Sequence, residues 1–185
     1  MGKFILVTGG SRSGKSSFAE TLAKQMNSDV LYIATSIPFD DEMRLRVQKH
    51  REQRPCTWSL LETYKDLDVL QNDVYKHKKV FLLDCITLMV SNIMLEKAFD
   101  WDNLNNESIE EVENCVRMEM EKLLSSIEKL PGDFIAVTNE VGMGIVPENK
   151  LSRIFRDIAG RANQMLAQKA DEVYLCVSGV PVKIK

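Results

Sequence analysis

Several things are scarce in this chain, and each scarcity excludes something. Four cysteines occur among 185 residues, and no two of them form a C-x-x-C pair, which argues against a zinc site. Cys85 and Cys176 fall in apolar runs and are expected as buried thiols, a usage that fits a reducing cytosol. Positive charge is not in excess: 24 Lys and Arg face 27 Asp and Glu, for a net charge of −3. Such a balance does not track a phosphate backbone, so nucleic acid is not the expected partner. Long hydrophobic runs are missing as well. The longest, Cys85–Leu95, is broken by Ser91 and Asn92 and falls short of the roughly 20 residues that span a bilayer. Phe4–Val7 is too short for a signal-peptide core, and Leu6 stands where a myristoylation motif wants Ser or Thr. The expectation is a cytoplasmic protein of one domain, residues 1–185, with enough length to bury a core unaided.

Five short apolar runs are present: Phe4–Thr8, Val30–Ala34, Val80–Asp84, Phe134–Thr138 and Val173–Ser178. Most are continuous rather than alternating, the mark of strands covered on both faces in a parallel sheet. Helical spacing fills the intervals, over about 15–26, 41–51, 86–97, a long segment opening near Ser108, and 148–170. Ser108 and Glu111 have capping-box spacing. Ile109, Val112, Val116, Leu123 and Ile127 form its apolar stripe, and Pro131-Gly132 ends it. Phe99–Asn106 reads as a surface loop. The tail Ser178–Lys185 reads as a turn into an edge strand, where Pro181 is tolerated. The expected class is α/β, with a mostly parallel central sheet flanked by helices and a C-terminal antiparallel edge strand.

Gly9-Gly-Ser-Arg-Ser-Gly14-Lys15-Ser16 matches the P-loop G-x-x-x-x-G-K-[ST] and sits between a strand and a helix, as the motif requires. Gly9, Gly10, Ser11, Arg12, Ser13 and Gly14 would offer backbone N–H groups to phosphate oxygens, and the helix N-terminus adds a favourable dipole. Lys15 would reach the β- and γ-phosphates, and the Ser16 hydroxyl would ligate Mg²⁺. The expected fold is therefore a P-loop NTPase of RecA-like type. Asp84 ends the apolar run Val80–Leu83, as the metal-binding carboxylate of a P-loop protein does; it also precedes a helix, where an Asp can serve as a cap.

The segment Asp40–Pro55 begins acidic and ends basic. One reading is a surface helix whose charges complement its dipole. The other notes that Met43, Val47 and His50 share a helix face, with Lys49, Arg51 and Arg54 close by, so that His50 could act as base or nucleophile. His77 lies in a charged loop and has no such setting. Asn139 and Glu140 follow a strand and so reach the carboxyl edge of the sheet, where α/β folds bind ligands. Gly142 and Gly144 would keep that loop close to a ligand; a plain glycine-rich turn is the alternative. Arg153, Arg156 and Arg161 on the last helix read as a solvated or salt-bridged face, or as a phosphate or subunit contact.

Taken together, these residues resemble the bifunctional adenosylcobinamide kinase / adenosylcobinamide-phosphate guanylyltransferase family of cobalamin biosynthesis. The resemblance runs through Ile5–Ser16, Leu31–Ser36, Asp40–Met43, His50, Arg54-Pro55, Leu82–Thr87, Val137–Asn149 and Phe155–Arg161. Its most specific stretch is Thr138-Asn-Glu-Val-Gly-Met-Gly-Ile-Val-Pro147. It implies two reactions: phosphorylation of adenosylcobinamide from ATP or GTP, then transfer of GMP from GTP through a covalent histidine–GMP intermediate to give adenosylcobinamide-GDP. His50 matches the histidine that carries GMP, and Lys15 is the second catalytic residue. Nucleotide contacts are implied at Gly9–Ser16, Ala34, Thr35, Ser36, Arg51, Glu52, Gln53, Arg54, Glu62 and Asp84, with Ser16 and Asp84 toward Mg²⁺. Which of Glu62 and Asp84 meets guanine and which meets metal stays open. The resemblance also implies a homotrimer.

Overall fold

The computed structural model describes residues 2–37, 55–97 and 99–185. A single seven-stranded sheet organises them, in the order β3-β2-β4-β5-β1-β6-β7. The strands are β1 (Phe4–Gly9), β2 (Val30–Ala34), β3 (Ser59–Glu62), β4 (Val80–Asp84), β5 (Asp133–Val137), β6 (Glu172–Val177) and β7 (Val180–Lys183). Every pairing is parallel except β6 with β7, which is antiparallel. The helices are α1 (Lys15–Met26), α2 (Ile86–Leu95), α3 (Asn106–Lys129) and α4 (Lys150–Lys169), with a 3₁₀ turn at Leu67–Gln71.

Side chains of a strand alternate between faces, and here both faces are dry. Phe4, Leu6, Leu31, Ile33, Phe81, Leu83, Phe134 and Ala136 point to the side covered by α2, α3 and α4. Ile5, Val7, Val30, Tyr32, Leu82, Ile135 and Val137 point to the side covered by α1. That double cover is why the runs are continuous in sequence. It also fixes registry, because a one-residue slip would exchange the two faces throughout.

Two expectations need correction. The long helix opens at Asn106 rather than near Ser108, and its cap is Asn105, whose side-chain oxygen accepts from the Ser108 N–H at 2.8 Å. Ser108 is thus the residue capped, because an Asx carbonyl reaches the N3 amide as well as a hydroxyl does. The sheet also gains a parallel edge strand, β3, that the apolar runs did not predict. Ser59-Leu-Leu-Glu62 is short and only half-buried, as an edge position permits. The expected Ser178–Lys185 edge strand is present as β7. Ser178 and Gly179 both adopt positive φ (51° and 84°), the two-residue turn that suits a hairpin's twist. Cys85 and Cys176 are buried. The 99–105 segment is a loop, with Phe99 and Trp101 packed edge-to-face at 5.9 Å against the core. The expected helix over 41–51 lies outside the described residues. Among the described residues no helix is long and apolar enough to cross a membrane.

Candidate active site

The carboxyl ends of the strands converge on one line. Glu62, Ala34, Asp84 and Val137 are successive partners across β3, β2, β4 and β5, and Val137 in turn pairs with Val7 of β1. Partners in a parallel sheet share a face, and Ala34, Val137 and Val7 belong to the α1 side. Glu62 and Asp84 therefore lie on the P-loop face, Asp84 two strands from β1 with β5 between, or roughly 10 Å at the usual strand spacing.

The P-loop joins β1 to α1. Gly14 is the N-cap of α1 at φ 87°, and no side chain caps the helix. The first-turn N–H groups are thereby left for an anion. A Cβ at Gly9 would fall 2.5 Å from the Cys176 carbonyl and 2.6 Å from Ser13 Oγ, and one at Gly14 would fall 3.0 Å from Gly179 Cα. The Gly179 N–H donates to the Ser13 carbonyl at 2.9 Å, so the hairpin of β6 and β7 buttresses the loop from outside. Lys15 is buried at 9% exposure and donates to the Gly10 carbonyl at 3.0 Å. Thr8 Oγ1 and Ser13 Oγ are buried without a hydrogen-bond partner. Ser16 follows in the first turn, half-buried.

Asp84 is not a cap: Cys85 occupies the N-cap position of α2, with no side-chain cap bond. Its carboxylate instead accepts from the Tyr32 hydroxyl at 3.2 Å. The residues behind it are tightly bonded. Thr35, 1% exposed, donates its hydroxyl to the Cys85 carbonyl at 2.7 Å and accepts from the Cys85 N–H at 2.8 Å. Asn92 donates to the Thr35 carbonyl at 2.7 Å, and Asn139 donates to Thr87 Oγ1 at 2.5 Å. Burial, and secondarily the Asp84 charge, push the Cys85 thiol up to about 11, so it stays protonated and unreactive. These bonds set the height and direction of the β2 and β4 ends. Of the Ala34–Ser36 trio, Thr35 turns its side chain inward and only Ala34 and Ser36 remain at the edge.

Asn139 and Glu140 do extend β5 at its carboxyl edge. The Glu140 N–H donates to the Gly9 carbonyl at 3.1 Å, tying this loop to the P-loop, and the Glu140 carboxylate accepts from the Gly142 N–H at 2.6 Å. Asn163 of α4 locks the same place from the other face, accepting from Thr138 Oγ1 at 2.6 Å and donating to the Asn139 carbonyl at 3.0 Å. The three arginines of α4 diverge. Arg161 pairs with Glu113 at 2.5 Å. Arg153 donates to the carbonyls of Pro147 and Glu148. Arg156 has a buried Nη1 with no partner. Tyr32, Asn92, Thr87 and Asn163 are contributions the motifs did not reveal. The available signal was a polar group set within an otherwise apolar strand or stripe. His50, Arg51, Glu52, Gln53 and Arg54 lie outside the described residues.

The donors suit Mg²⁺. A serine hydroxyl and an aspartate carboxylate on the P-loop face are hard oxygen ligands, and that ion binds through one or two such groups plus phosphate oxygens and water.

Residues 5–184 match the family model described as cobinamide kinase / cobinamide phosphate guanyltransferase. The chain is 48% identical over 181 residues to the bifunctional adenosylcobalamin biosynthesis protein CobU of Escherichia coli, covering 98% of this chain and 99% of that one. It is 48% identical to the protein of the same name from Salmonella typhimurium. Against CobP of Pseudomonas aeruginosa it is 37% identical over 180 residues, 97% of this chain and 96% of that one. Among solved structures, a P-loop ATPase domain superposes with a TM-score of 0.52 at 15% identity, over 94% of this chain and 68% of that one. That likeness and the sheet order, with a strand between the P-loop strand and the acidic strand, give the fold: a RecA-like P-loop NTPase.

Proposed function

The chain belongs to the cobinamide kinase / cobinamide phosphate guanyltransferase family, a transferase family of cobalamin biosynthesis, and from that premise we propose that one site carries out two transfers in sequence. In the first, the terminal phosphoryl group of ATP or GTP passes to the hydroxyl of adenosylcobinamide. In the second, His50 attacks the α-phosphorus of GTP. A P–N bond forms, the bond to pyrophosphate breaks, and the phosphate of adenosylcobinamide phosphate then displaces the imidazole to give adenosylcobinamide-GDP.

The observation that carries this reading is the line Glu62–Ala34–Asp84 on the face of the P-loop, inside a chain that matches its relatives end to end. The P-loop amides and Lys15 bind and orient the phosphates. Ser16 and Asp84 would hold Mg²⁺, which when bound neutralises charge on the phosphoryl oxygens. Tyr32 keeps the Asp84 carboxylate directed by its hydrogen bond. Ala34 and Ser36 at the edge, together with Arg51, Glu52, Gln53 and Arg54 beside His50, complete the nucleotide contacts. Glu62, exposed at the sheet edge and farther from the P-loop than Asp84, takes the guanine edge. A free imidazole with a pKa of about 6.5 is substantially neutral at pH 7 and so nucleophilic. Splitting one transfer across a phosphoramidate replaces one hard step by two easier ones.

Incubation with [α-³²P]GTP tests the reading. Wild-type protein should acquire a covalent, acid-labile label that the phosphorylated acceptor discharges, and His50→Ala should acquire none. A folded, GTP-binding wild type that stays unlabelled sinks the guanylyl half and leaves a simple kinase. The assembly belongs to the same proposal: cytoplasmic homotrimers, supported by the exposed Val177, Val180, Val182 and Ile184 of the terminal hairpin. Light scattering on the eluting protein would give the mass.

A further inference from the structure

Arg156 stands apart from every other cation on α4. Its Nη1 is enclosed and makes no hydrogen bond. A buried charged donor left unpaired is costly, and native structures keep very few. The other two arginines of the helix are consumed, Arg161 by Glu113 and Arg153 by two carbonyls. The cost at Arg156 is therefore not a general property of the helix surface.

Its position says what it is for. Arg156 precedes Asn163 by seven residues, so the two share a helix face, about 10 Å apart along the axis. Asn163 is fixed to Thr138 and Asn139 at the carboxyl end of β5. Because α4 runs back toward the start of β6, residues before Asn163 lie beyond that end, where ligands of α/β sheets bind. Ala159 lies between them on the same face and is fully buried, so the face is turned inward. A guanidinium presents a planar fork that matches a phosphate with two parallel hydrogen bonds. The nucleotide's phosphates already have Lys15 and the P-loop amides, on the α1 side of the sheet. Arg156 belongs to the opposite layer.

We propose that Arg156 binds the phosphomonoester of the acceptor, the group made in the first transfer and used as nucleophile in the second. This rests on the two-step reading above. It adds that the site distinguishes phosphorylated from unphosphorylated acceptor through one arginine of α4.

The test uses full-length protein with Arg156→Ala and Arg156→Lys. Enzyme labelled from [α-³²P]GTP is chased with increasing adenosylcobinamide phosphate, and the kinase step is followed separately with unphosphorylated adenosylcobinamide. We expect Arg156→Ala to take up label as the wild type does, but to need about 10- to 100-fold more phosphorylated acceptor for half-maximal discharge, the loss of a charge-assisted hydrogen bond. KM for the unphosphorylated acceptor should hardly move, and Arg156→Lys should fall between. Unchanged acceptor dependence overturns the proposal. So does an equal rise for both acceptors, which marks a structural role, and so does lost GTP labelling, which assigns Arg156 to the nucleotide. Should Arg156→Ala fail to fold, Arg156→Lys decides: the proposal stands only if its discharge is impaired selectively toward the phosphorylated acceptor. Should the wild type itself take no label, calorimetric binding of the two acceptors to wild type and Arg156→Lys still tests Arg156. Equal affinity of wild type for both then overturns it.

Discussion

At Gly14, conformation and crowding impose the same demand. The residue sits at φ 87°, and a Cβ there would come within 3.0 Å of Gly179 Cα. An L-residue with a side chain resists that backbone region, and the neighbour is backbone that cannot step aside. Gly14→Ala should cost about 1–3 kcal/mol of stability and weaken GTP binding by at least about tenfold, because the amides that receive phosphate shift with the turn. Gly10→Ala is the control for stability, since nothing lies within 4 Å of its Cβ position. Thermal melts and calorimetric titration of both variants check this; equal melting temperatures for the two would refute it. Residues like Gly14 are legible in sequence because the motif specifies a local backbone shape. Arg156 was not legible. Its charge allowed a solvated face, and only the packing of α4 on the sheet shows one nitrogen enclosed.

Elements are decided by their ends as much as by their stripes. The stripe of α3 is readable, and Val112, Val116 and Leu123 are buried as the period demands, joined by Met120. Its start is less so, because Asn105 and Ser108 are both good caps and their spacing lets either serve the other's turn. The geometry assigns the cap to Asn105. Asn105→Ala should therefore cost about 1 kcal/mol, while Ser108→Ala should be close to neutral; urea melts showing the reverse would return the cap to Ser108. The strand β3 was hidden for a related reason: four residues on an edge carry no period long enough to read. At the other edge, Glu172 joins β1, β6 and β7. Hydrogen bonds from Tyr174 and then Lys3 and Lys183 hold its carboxyl at about 2, against an ordinary 4.5. A depressed folded value contributes stability that is fully present above about 4.5 and disappears as the pH falls toward 2. Glu172→Gln should melt below wild type at pH 7 and 5, with a gap that closes near pH 2. The gap will be small, since Lys3 and Lys183 are more than half exposed and water screens them. A gap that widens in acid would contradict this assignment.

Over the whole molecule, the sheet turns scattered motifs into one site. The runs Val30–Ala34, Val80–Asp84 and Phe134–Thr138 are far apart in sequence, yet their last residues pair across the sheet. Strand identity and continuous apolarity are local properties and were readable; registry and strand order arise from the two cores and were not. Such a site binds its nucleotide through fixed strand ends, so binding should be measurable as stability of the entire domain. At a GTP concentration one hundred times Kd, linkage adds about 2.7 kcal/mol. For a domain of this size each kcal/mol raises Tm by about 2–4 °C, so a rise of roughly 5–11 °C is expected. Lys15→Ala should lose most of that rise because it removes the cation that faces the phosphates. His50→Ala should keep it while losing the covalent label, if the P-loop binds and His50 reacts. Differential scanning fluorimetry run beside the labelling assay separates the two roles. A folded His50→Ala with no thermal response to GTP would make His50 a binding residue, and the division of labour between loop and histidine would have to be abandoned.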